Sequence, residues 1–372
     1  MTVQVVCLIL GICFLSGCDA FPGPDSGSAA ADNPRSLTIV TWNIQALFDG
    51  NEDGNEYDEY LNTAGWSDEK YQARLTAIAR GIDQIADGPP DIIGFQEVEN
   101  GEMLQAFAGG PLSKHGYSWT FFARNPEASL GIGVLSRFPF TKTTAHSIFD
   151  NSEAAPRPVL ELWLSPGDTD LVLFVCHWKS KLGGDDATEG LRRASARVIM
   201  RRIREITEEQ PGTPVIIMGD LNENHDEFYR RAGTVISALL PDDPKAAELA
   251  GAIGTGGEDE GGARQDPRDF LIISRQKPPV TEYFDSGTTV LYSPWGNELQ
   301  RGSYNYKNEW ETIDHFLLSD GLFDRQGWDF HSGRVISEEP FISAYGFPNA
   351  YNPRTGNGLS DHLPLMLKLT RQ

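Results

Sequence analysis

The fold of this chain is constrained most by short apolar runs that each stop at a residue able to do chemistry. Residues 215–218 are valine, two isoleucines and methionine; Gly219 and Asp220 follow at once, with Asn222 two residues later. Such a run, bounded by a glycine, is typical of a fully buried strand. A carboxylate beside a buried strand costs free energy unless a cation or hydrogen-bond donors meet it. The pattern therefore predicts a functional site at the carboxyl end of this strand.

The same arrangement recurs earlier in the chain. Three apolar or β-branched runs each have a polar residue at or near their end: Asn43 in residues 37–44, Glu97 in residues 91–98, and His177 directly after residues 171–176. Further strand-like runs lie at residues 117–122, 130–136 and 159–164. Apolar residues at helical spacing predict helices at residues 71–85 and 189–208. Alternating strands and helices indicate a mixed α/β (α+β) fold.

The last third of the chain adds two acid–histidine pairs. Asp314 lies inside the strand-like run 312–318, and Asp361 and His362 lie on a turn before the last predicted strand. Neither pair has the spacing of a zinc site. Taken singly, each could be a turn residue or a scaffold histidine.

Composition limits the partners of this protein. The chain has 372 residues, 40% of them hydrophobic, so it can bury a large core as one domain or two. Its 31 Lys and Arg stand against 53 Asp and Glu, giving a net charge of −22. A chain with this charge is repelled by polyanions overall, so it needs local basic groups or bound cations to hold nucleic acid. This counts against a DNA-binding regulator.

The amino-terminal segment predicts export. Residues 1–18 contain an apolar run too short to span a bilayer and end in Leu15-Ser16-Gly17-Cys18, which resembles a bacterial lipoprotein signal with Cys18 as the lipidated residue. The absence of Lys and Arg before the apolar run departs from that pattern, and an ordinary cleaved signal peptide is the alternative. Residues 19–36, rich in Pro, Gly, Ser and Ala, are predicted to be a flexible tether. We therefore expect an exported protein of the bacterial cell envelope, attached to the membrane by its lipid alone.

Taken together, these runs resemble the endonuclease/exonuclease/phosphatase superfamily of metal-dependent phosphoesterases. The resemblance is carried by six motifs in the family's order: Trp42-Asn43, Gln96-Glu97, His177-Trp178-Lys179-Ser180-Lys181, Gly219-Asp220-Leu221-Asn222, Ile313-Asp314 and Ser360-Asp361-His362. One such tetrapeptide is weak evidence, whereas six in order at predicted strand ends are specific. The family's fold is a four-layer α/β/β/α sandwich with two packed mixed sheets. It would cover residues 37–372, with a mobile insertion at about 242–265, where Gly, Ala and acidic residues show weak periodicity.

The resemblance implies a role for each motif residue. The metal would be held by Glu97, with Asn43 and Asp361 close by. The catalytic residues would be His177, Asp220, Asn222, Asp314 and His362: Asp220 orients or deprotonates water, Asn222 holds phosphate, and His362 is oriented by Asp314. Arg157 and Lys179 would contact phosphate. Hard oxygen ligands suit Mg²⁺, with Mn²⁺ or Ca²⁺ as alternatives. Gln45 stands where abasic-site endonucleases carry a metal-facing aspartate.

Three functions remain open from the sequence. The motif around His177 to Lys181 is similar to that of secreted bacterial nucleases and favours an enzyme that hydrolyses phosphodiester bonds of DNA or RNA. We expect this enzyme to be a monomer. A sphingomyelinase-like or other phosphatase activity of the same superfamily is the alternative. A surface binding lipoprotein without turnover is an alternative of another class, and the intact set of six motifs counts against it.

Overall fold

The computed structural model describes residues 34–148, 157–255, 270–285 and 288–371. The predicted signal with Cys18, most of the predicted tether, and residues 256–265 of the predicted insertion lie outside these ranges. The tether and the folded part meet one residue earlier than predicted, because the first strand begins at Ser36.

Strands dominate the described part of the chain. In chain order they are β1 (Ser36–Leu47), β2 (Ile92–Val98), β3 (Trp119–Ala123), β4 (Gly131–Ser136), β5 (Phe140–His146), β6 (Val159–Leu164), β7 (Leu171–His177), β8 (Val215–Asp220), β9 (Leu239–Pro241), β10 (Leu271–Ser274), β11 (Val290–Tyr292), β12 (Tyr304–Tyr306), β13 (Glu309–Glu311), β14 (Asp314–Leu318), β15 (Trp328–Val335) and β16 (Leu365–Arg371). The helices are α1 (Asp68–Asp83), α2 (Gly101–Gly109), α3 (Asp185–Glu209), α4 (Glu227–Arg230) and α5 (Pro244–Thr255).

The strands form two large mixed sheets and one small hairpin. The first sheet has the order β15-β16-β1-β2-β4-β3, and the second has the order β5-β6-β7-β8-β14-β11-β10-β9. Strands β12 and β13 form the hairpin. In the first sheet β1 is parallel to β2 and antiparallel to β16, and in the second β8 is parallel to β7 and antiparallel to β14.

Side-chain alternation packs the sheets face to face. Leu37 and Ile39 of β1 share one hydrophobic cluster with Ile216 and Met218 of β8, so they lie between the sheets. The opposite face of the first sheet packs on α1 and α2, and the opposite face of the second packs on α3. Helices, two sheets and helices are therefore stacked in that order, which confirms the predicted four-layer sandwich.

Helices α1 and α3 begin and end near their predicted positions, whereas α2, α4 and α5 were not predicted. Helix α1 has Ser67 as its N-cap, whose hydroxyl oxygen accepts a hydrogen bond from the Lys70 backbone N–H. Helix α5 occupies part of the segment predicted as a mobile insertion. Its Ala246 and Ala250 are fully buried in a small cluster beside β9 and β10. Alanines give little hydrophobic contrast, so the sequence pattern did not predict this helix.

No helix in the described part of the chain combines the length and the apolar character that a bilayer-spanning helix requires.

Candidate active site

The site is built where strands of both sheets end at the same edge of the sandwich. His177 ends β7 and pairs in register with Asp220, which ends β8, and Asp220 in turn pairs with Asp314, which begins β14. From the other sheet, Asn43 Nδ2 donates a hydrogen bond of 3.0 Å to Asp220 Oδ2. All four side chains are buried. Alternation along each strand points them into the space between the sheets, which is why residues far apart in sequence meet.

Gly219 makes the close approach of β7 and β8 feasible at the site. Its φ is +133°, and a Cβ there would lie 2.0 Å from the Cys176 carbonyl oxygen. No other residue fits this position without moving the backbone, because both the conformation and the space exclude a side chain. The glycine of the Gly219-Asp220 motif is therefore required for the local fold.

Glu97 reaches the site through an unusual backbone conformation. Simple alternation would place it beside Phe95, on the helix-facing side of the first sheet. Its φ of +68° and a register shift after Gln96 turn it toward the other edge residues. Glu97 Oε2 accepts a hydrogen bond of 2.7 Å from the Ala46 N–H, and Oε1 accepts one of 3.3 Å from Asn43 Nδ2. Left-handed conformations of this kind concentrate at functional sites.

His362 and Asp314 form a tightly bonded pair. His362 Nδ1 lies 2.8 Å from Asp314 Oδ2, and the Ser303 hydroxyl donates a 2.6 Å hydrogen bond to the same oxygen. Burial lowers the pKa of His362, but the charge of Asp314, supported by Asp361 and Asp220, outweighs it and raises the pKa to about 10. The imidazole is therefore protonated at neutral pH. The Tyr304 ring packs on it with centroids 4.6 Å apart.

Asp220 is a buried carboxyl group that is held close to its protonated form. Burial and the neighbouring charge of Asp314 raise its pKa to about 7, although His362 and Asn43 act in the other direction. Its Oδ1 accepts a hydrogen bond of 2.9 Å from the backbone N–H of Asn222. A carboxylate with this pKa can exchange a proton near neutral pH, which suits a general base.

His177 is held as a neutral imidazole. Burial lowers its pKa well below the usual value, and the positive charges of Arg157 and His362 lower it further. Its Nε2 lies 3.6 Å from Asp220 Oδ2 and 3.8 Å from Glu97 Oε1. Its buried Nδ1 has no hydrogen-bond partner in the described ranges. A neutral ring between two carboxylates can donate a proton to only one of them.

The predicted phosphate ligands differ in placement. Arg157 Nη1 donates to the Trp178 carbonyl at 2.8 Å, and Asn222 Nδ2 donates to the same oxygen at 3.1 Å, so Arg157 and Asn222 lie side by side. Lys179 is next along the chain from Trp178, and burial and the charge of Arg157 lower its pKa. For the ammonium of Lys179, the structure shows no contact with a catalytic group among the described residues.

Three polar residues outside the predicted set support the site. Gln45 Oε1 accepts hydrogen bonds from the backbone N–H groups of Tyr351 (2.7 Å) and Asp361 (3.0 Å). The Ser360 hydroxyl donates to the Asn43 carbonyl at 2.6 Å and accepts from the His362 N–H at 3.0 Å. Ser303 is the third, through its bond to Asp314. Ser360 stands inside the last motif and could have been found there. Ser303 lies outside the six motifs, and Gln45 was noted in the sequence only because abasic-site endonucleases carry a metal-facing aspartate at that position.

The donor set fits a divalent cation. Glu97, Asp220, Asp314 and Asp361 offer carboxylate oxygens, and hard oxygens suit Mg²⁺. One oxygen each from Asp220 and Asp314 and one ring nitrogen of His362 lie within 4.8 Å of one another, and the buried Asp314 Oδ1 has no hydrogen-bond partner in the described ranges. Because His362 is protonated and bonded to Asp314, the two carboxylates are the available ligands of this group. Burial raises the pKa of Asp361, and Glu97 raises it further while His362 opposes this. A cation would relieve that repulsion. Asn43, predicted as a ligand, presents its amide nitrogen to the carboxylates in this arrangement, so its ligand role stays a prediction.

Two packed mixed sheets bring buried carboxylates, an amide and an Asp–His pair to one edge, an arrangement that suits hydrolysis assisted by a metal ion. The chain belongs to the endonuclease/exonuclease/phosphatase family, whose model matches residues 38–255. Members of this family hydrolyse phosphoesters and generally depend on a divalent metal.

Solved structures share the fold at low sequence identity. TDP2 from Caenorhabditis elegans is 15% identical, with a TM-score of 0.50 over 90% of this chain and 74% of that one. An endonuclease/exonuclease/phosphatase family protein from Bacteroides thetaiotaomicron is 14% identical, with a TM-score of 0.50 over 91% and 95%. D. rerio TDP2 complexed with a single-strand DNA product is 14% identical, with a TM-score of 0.50 over 91% and 100%. A search of curated proteins gave no match.

Proposed function

We propose that this protein is an exported, Mg²⁺-dependent phosphodiesterase that cleaves nucleic acid. The observation that carries the proposal is the hydrogen bond between Asn43 and Asp220 across the two sheets, because it brings Glu97, His177 and the Asp314–His362 pair around one carboxylate. A non-catalytic binding protein has no physical need to hold acid, base and metal-ligand types together in one buried cluster.

Each residue has a role in hydrolysis that its environment supports. When bound, the cation supplies positive charge to the non-bridging phosphate oxygens. Asp220, with its pKa near neutrality, takes a proton from the attacking water. The Asn222 amide and the Arg157 guanidinium hold the phosphate. His362, kept protonated by Asp314, donates a hydrogen bond to the pentacovalent phosphate and stabilises its charge, and it gives its proton to the leaving oxygen as the bond from that oxygen to phosphorus breaks. His177 stays neutral beside Glu97 and Asp220 and orders the water or the phosphate. The assignment of the base to His177 instead of Asp220 is the alternative.

Nucleic acid is preferred as substrate for two reasons. The segment from His177 to Lys181 resembles that of secreted bacterial nucleases, and D. rerio TDP2, which shares the fold, was crystallised with a single-strand DNA product. The net charge of −22 favours a second candidate. A zwitterionic phospholipid or a small phosphoester is repelled less than a polyanion, so a sphingomyelinase-like or phosphatase activity is the runner-up.

An assay panel separates these functions. Protein lacking residues 1–18 is given Mg²⁺ and plasmid DNA, RNA, sphingomyelin vesicles or inositol phosphates. We expect cleavage of nucleic acid, lost on chelation, and a fall in kcat of about 10²-fold to 10⁴-fold in Asp220→Ala and His362→Ala. His331→Ala, at an exposed position outside the site, is the matched control and keeps full activity. Lipid cleavage with intact DNA would refute the nuclease assignment, and no metal-dependent turnover on any substrate would favour the binding protein.

Export through a lipid anchor is tested separately. We propose that Cys18 carries the lipid, which places the enzyme in the bacterial cell envelope, where it would meet nucleic acid from outside the cytoplasm. We expect Cys18→Ser to move the protein from the membrane fraction to the soluble fraction. Unchanged membrane association in that variant would contradict lipidation.

A further inference from the structure

A second pocket lies where three parallel strands of the second sheet end together. Strands β9, β10 and β11 run in the same direction, and the residues directly after them are Asp242, Arg275 and Ser293. These three residues line a cavity of about 360 Å³. Ligands in open α/β sheets bind outside the carboxyl ends of parallel strands, and cavities of this size hold small ligands or parts of larger ones.

The pocket contains a buried donor that lacks a partner. The Ser293 side chain is only 1% exposed, and its hydroxyl oxygen has no hydrogen-bond partner in the described part of the chain. A buried hydroxyl without a partner costs free energy, so a bound group that accepts from it would stabilise the pocket.

Arg275 supplies a positive charge at the same place. Its backbone carbonyl accepts a hydrogen bond from Asn297 Nδ2 at 3.0 Å, which fixes the position of the main chain. Its Nη2 donates to His225 Nε2 at 3.1 Å. Among the described residues no carboxylate pairs with this guanidinium, so its remaining N–H groups are available to an anion.

His225 lines the pocket and holds Arg275. Because Nε2 accepts from Arg275, Nδ1 carries the proton and donates to the Thr312 hydroxyl at 2.8 Å. Burial lowers the pKa of His225 to about 4, against the effect of Asp226, so the ring is neutral. It stacks on Trp295, whose Nε1 donates to the Asp314 carbonyl at 2.9 Å.

The acidic residues of the pocket already have partners. Asp226 pairs with Arg230 at 2.7 Å. Asp242 accepts hydrogen bonds from the Thr281 hydroxyl at 3.1 Å and from the Glu282 N–H at 3.0 Å. Arg230 neutralises Asp226, and hydrogen bonds stabilise the Asp242 carboxylate. Arg275 is then the group that sets the preference of the pocket for an anion.

The pocket lies close to the proposed phosphate ligand. His225 is three residues after Asn222, so their Cα atoms are at most about 11 Å apart. Thr312, which holds His225, is two residues before Asp314. A neighbouring unit of a polymeric substrate can therefore occupy the pocket while its scissile bond lies at Asp220.

We propose that Arg275, positioned by His225, forms with Ser293 a second phosphate subsite, which binds a phosphate of the nucleic acid strand next to the scissile one. The planar guanidinium matches two phosphate oxygens, and the Ser293 hydroxyl donates to the same group. The subsite rests on the proposed nuclease function. It extends that function because it gives the enzyme a preference for substrates that contain more than one phosphodiester.

The test compares Arg275→Gln with Arg201→Gln. Both variants remove one positive charge, but Arg201 is exposed on the second half of α3, which leads into the start of β8 at the opposite edge of the sheet. Each protein is assayed with Mg²⁺ on an oligonucleotide and on bis(p-nitrophenyl) phosphate, which has one phosphodiester only. In Arg275→Gln we expect KM for the oligonucleotide to rise about ten-fold, with kcat and the small-substrate rate unchanged within about two-fold. In Arg201→Gln we expect KM and kcat to stay unchanged on both substrates.

Binding is measured independently of turnover, by fluorescence anisotropy of a labelled oligonucleotide in chelator. The Kd is expected to weaken about ten-fold in Arg275→Gln and to stay unchanged in Arg201→Gln. An equal loss on both substrates, or an Arg275→Gln variant that matches Arg201→Gln, overturns the subsite while the nuclease assignment stands. A wild-type protein that hydrolyses only the small substrate overturns the nuclease assignment, and the subsite with it.

Discussion

Asp220 is ionised at a cost to the folded protein. Its pKa is raised from the ordinary 3.8 to about 7 by burial and by Asp314. Between about pH 4 and pH 7, Asp220 is therefore protonated in the folded protein but ionised in the unfolded one. Stability from this group is therefore present at acidic pH and is lost as the pH rises through about 7. The proposed general base therefore destabilises the metal-free protein at pH values above about 7.

Replacing this carboxylate by its amide tests the argument. In chelator, we expect Asp220→Asn to melt a few degrees higher than wild type at pH 8, about the shift that 1–2 kcal/mol gives, and at the same temperature at pH 4. The measurement is Tm by circular dichroism across the pH range. A difference between the two proteins that does not depend on pH would show that the substitution acts through packing instead of ionisation.

Gln45 makes a second prediction at the level of single residues. Gln45→Ala leaves the N–H groups of Tyr351 and Asp361 without their acceptor, so we expect a loss of about 2 kcal/mol in unfolding free energy and a fall of about ten-fold in kcat, because Asp361 adjoins His362. Urea unfolding and kcat are the measurements. Gln72→Ala, on the exposed face of α1, is the control, and identical effects in the two variants would exclude a positioning role for Gln45.

The structure brings most of the predicted site residues together, but the residues that support them were not predicted. Asn43, His177, Asp220 and Asp314 follow alternation along a strand, which a sequence pattern shows, and the structure brings them together. Glu97 joins them only because its left-handed backbone conformation reverses that alternation. A positive φ at a glutamate cannot be predicted from residue preferences. Long-range contacts such as that of Gln45 with Asp361 have no local signal at all.

Among the elements, the buried central strands were predicted best. β7 and β8 begin as continuous apolar runs, and β6 is interrupted only by the buried Glu161, since both faces of these strands are covered. The three-residue strands β9, β11, β12 and β13 are too short for a period to show, and α5 is too rich in alanine. Tertiary packing decides these elements, so local patterns do not predict them.

The junction of β7 and β8 gives a prediction for an element. Gly219→Ala forces a Cβ against the Cys176 carbonyl at a φ of +133°, so we expect a loss of about 4 kcal/mol or more, or no soluble protein. Gly54→Ala is the matched control, because Gly54 also has a positive φ, +97°, but has no atom within 4 Å of the added carbon. That control is expected to cost about 1 kcal/mol. Equal unfolding free energies for the two variants would contradict the close-approach argument.

At the scale of the whole molecule, the net charge of −22 opposes a polyanionic substrate. At about 10 mM salt the repulsion extends about 30 Å, whereas at 0.15 M it is screened within about 8 Å and local cations such as Arg157 and Arg275 act alone. With Mg²⁺ fixed, we therefore expect kcat/KM for DNA to rise about three-fold between these salt concentrations, while bis(p-nitrophenyl) phosphate is unaffected. A steady fall with salt, as in proteins that neutralise many phosphates, would contradict this.

The two ends of the folded part meet in the first sheet, where Ser36 at the start of β1 pairs with Thr370 near the end of β16. Asp361 and His362 are the last site residues in the chain and directly precede β16. A polypeptide still emerging from the ribosome therefore has neither the β16 partner of β1 nor the Asp361 and His362 side chains. The site is completed only after the carboxyl-terminal strand has joined the first sheet.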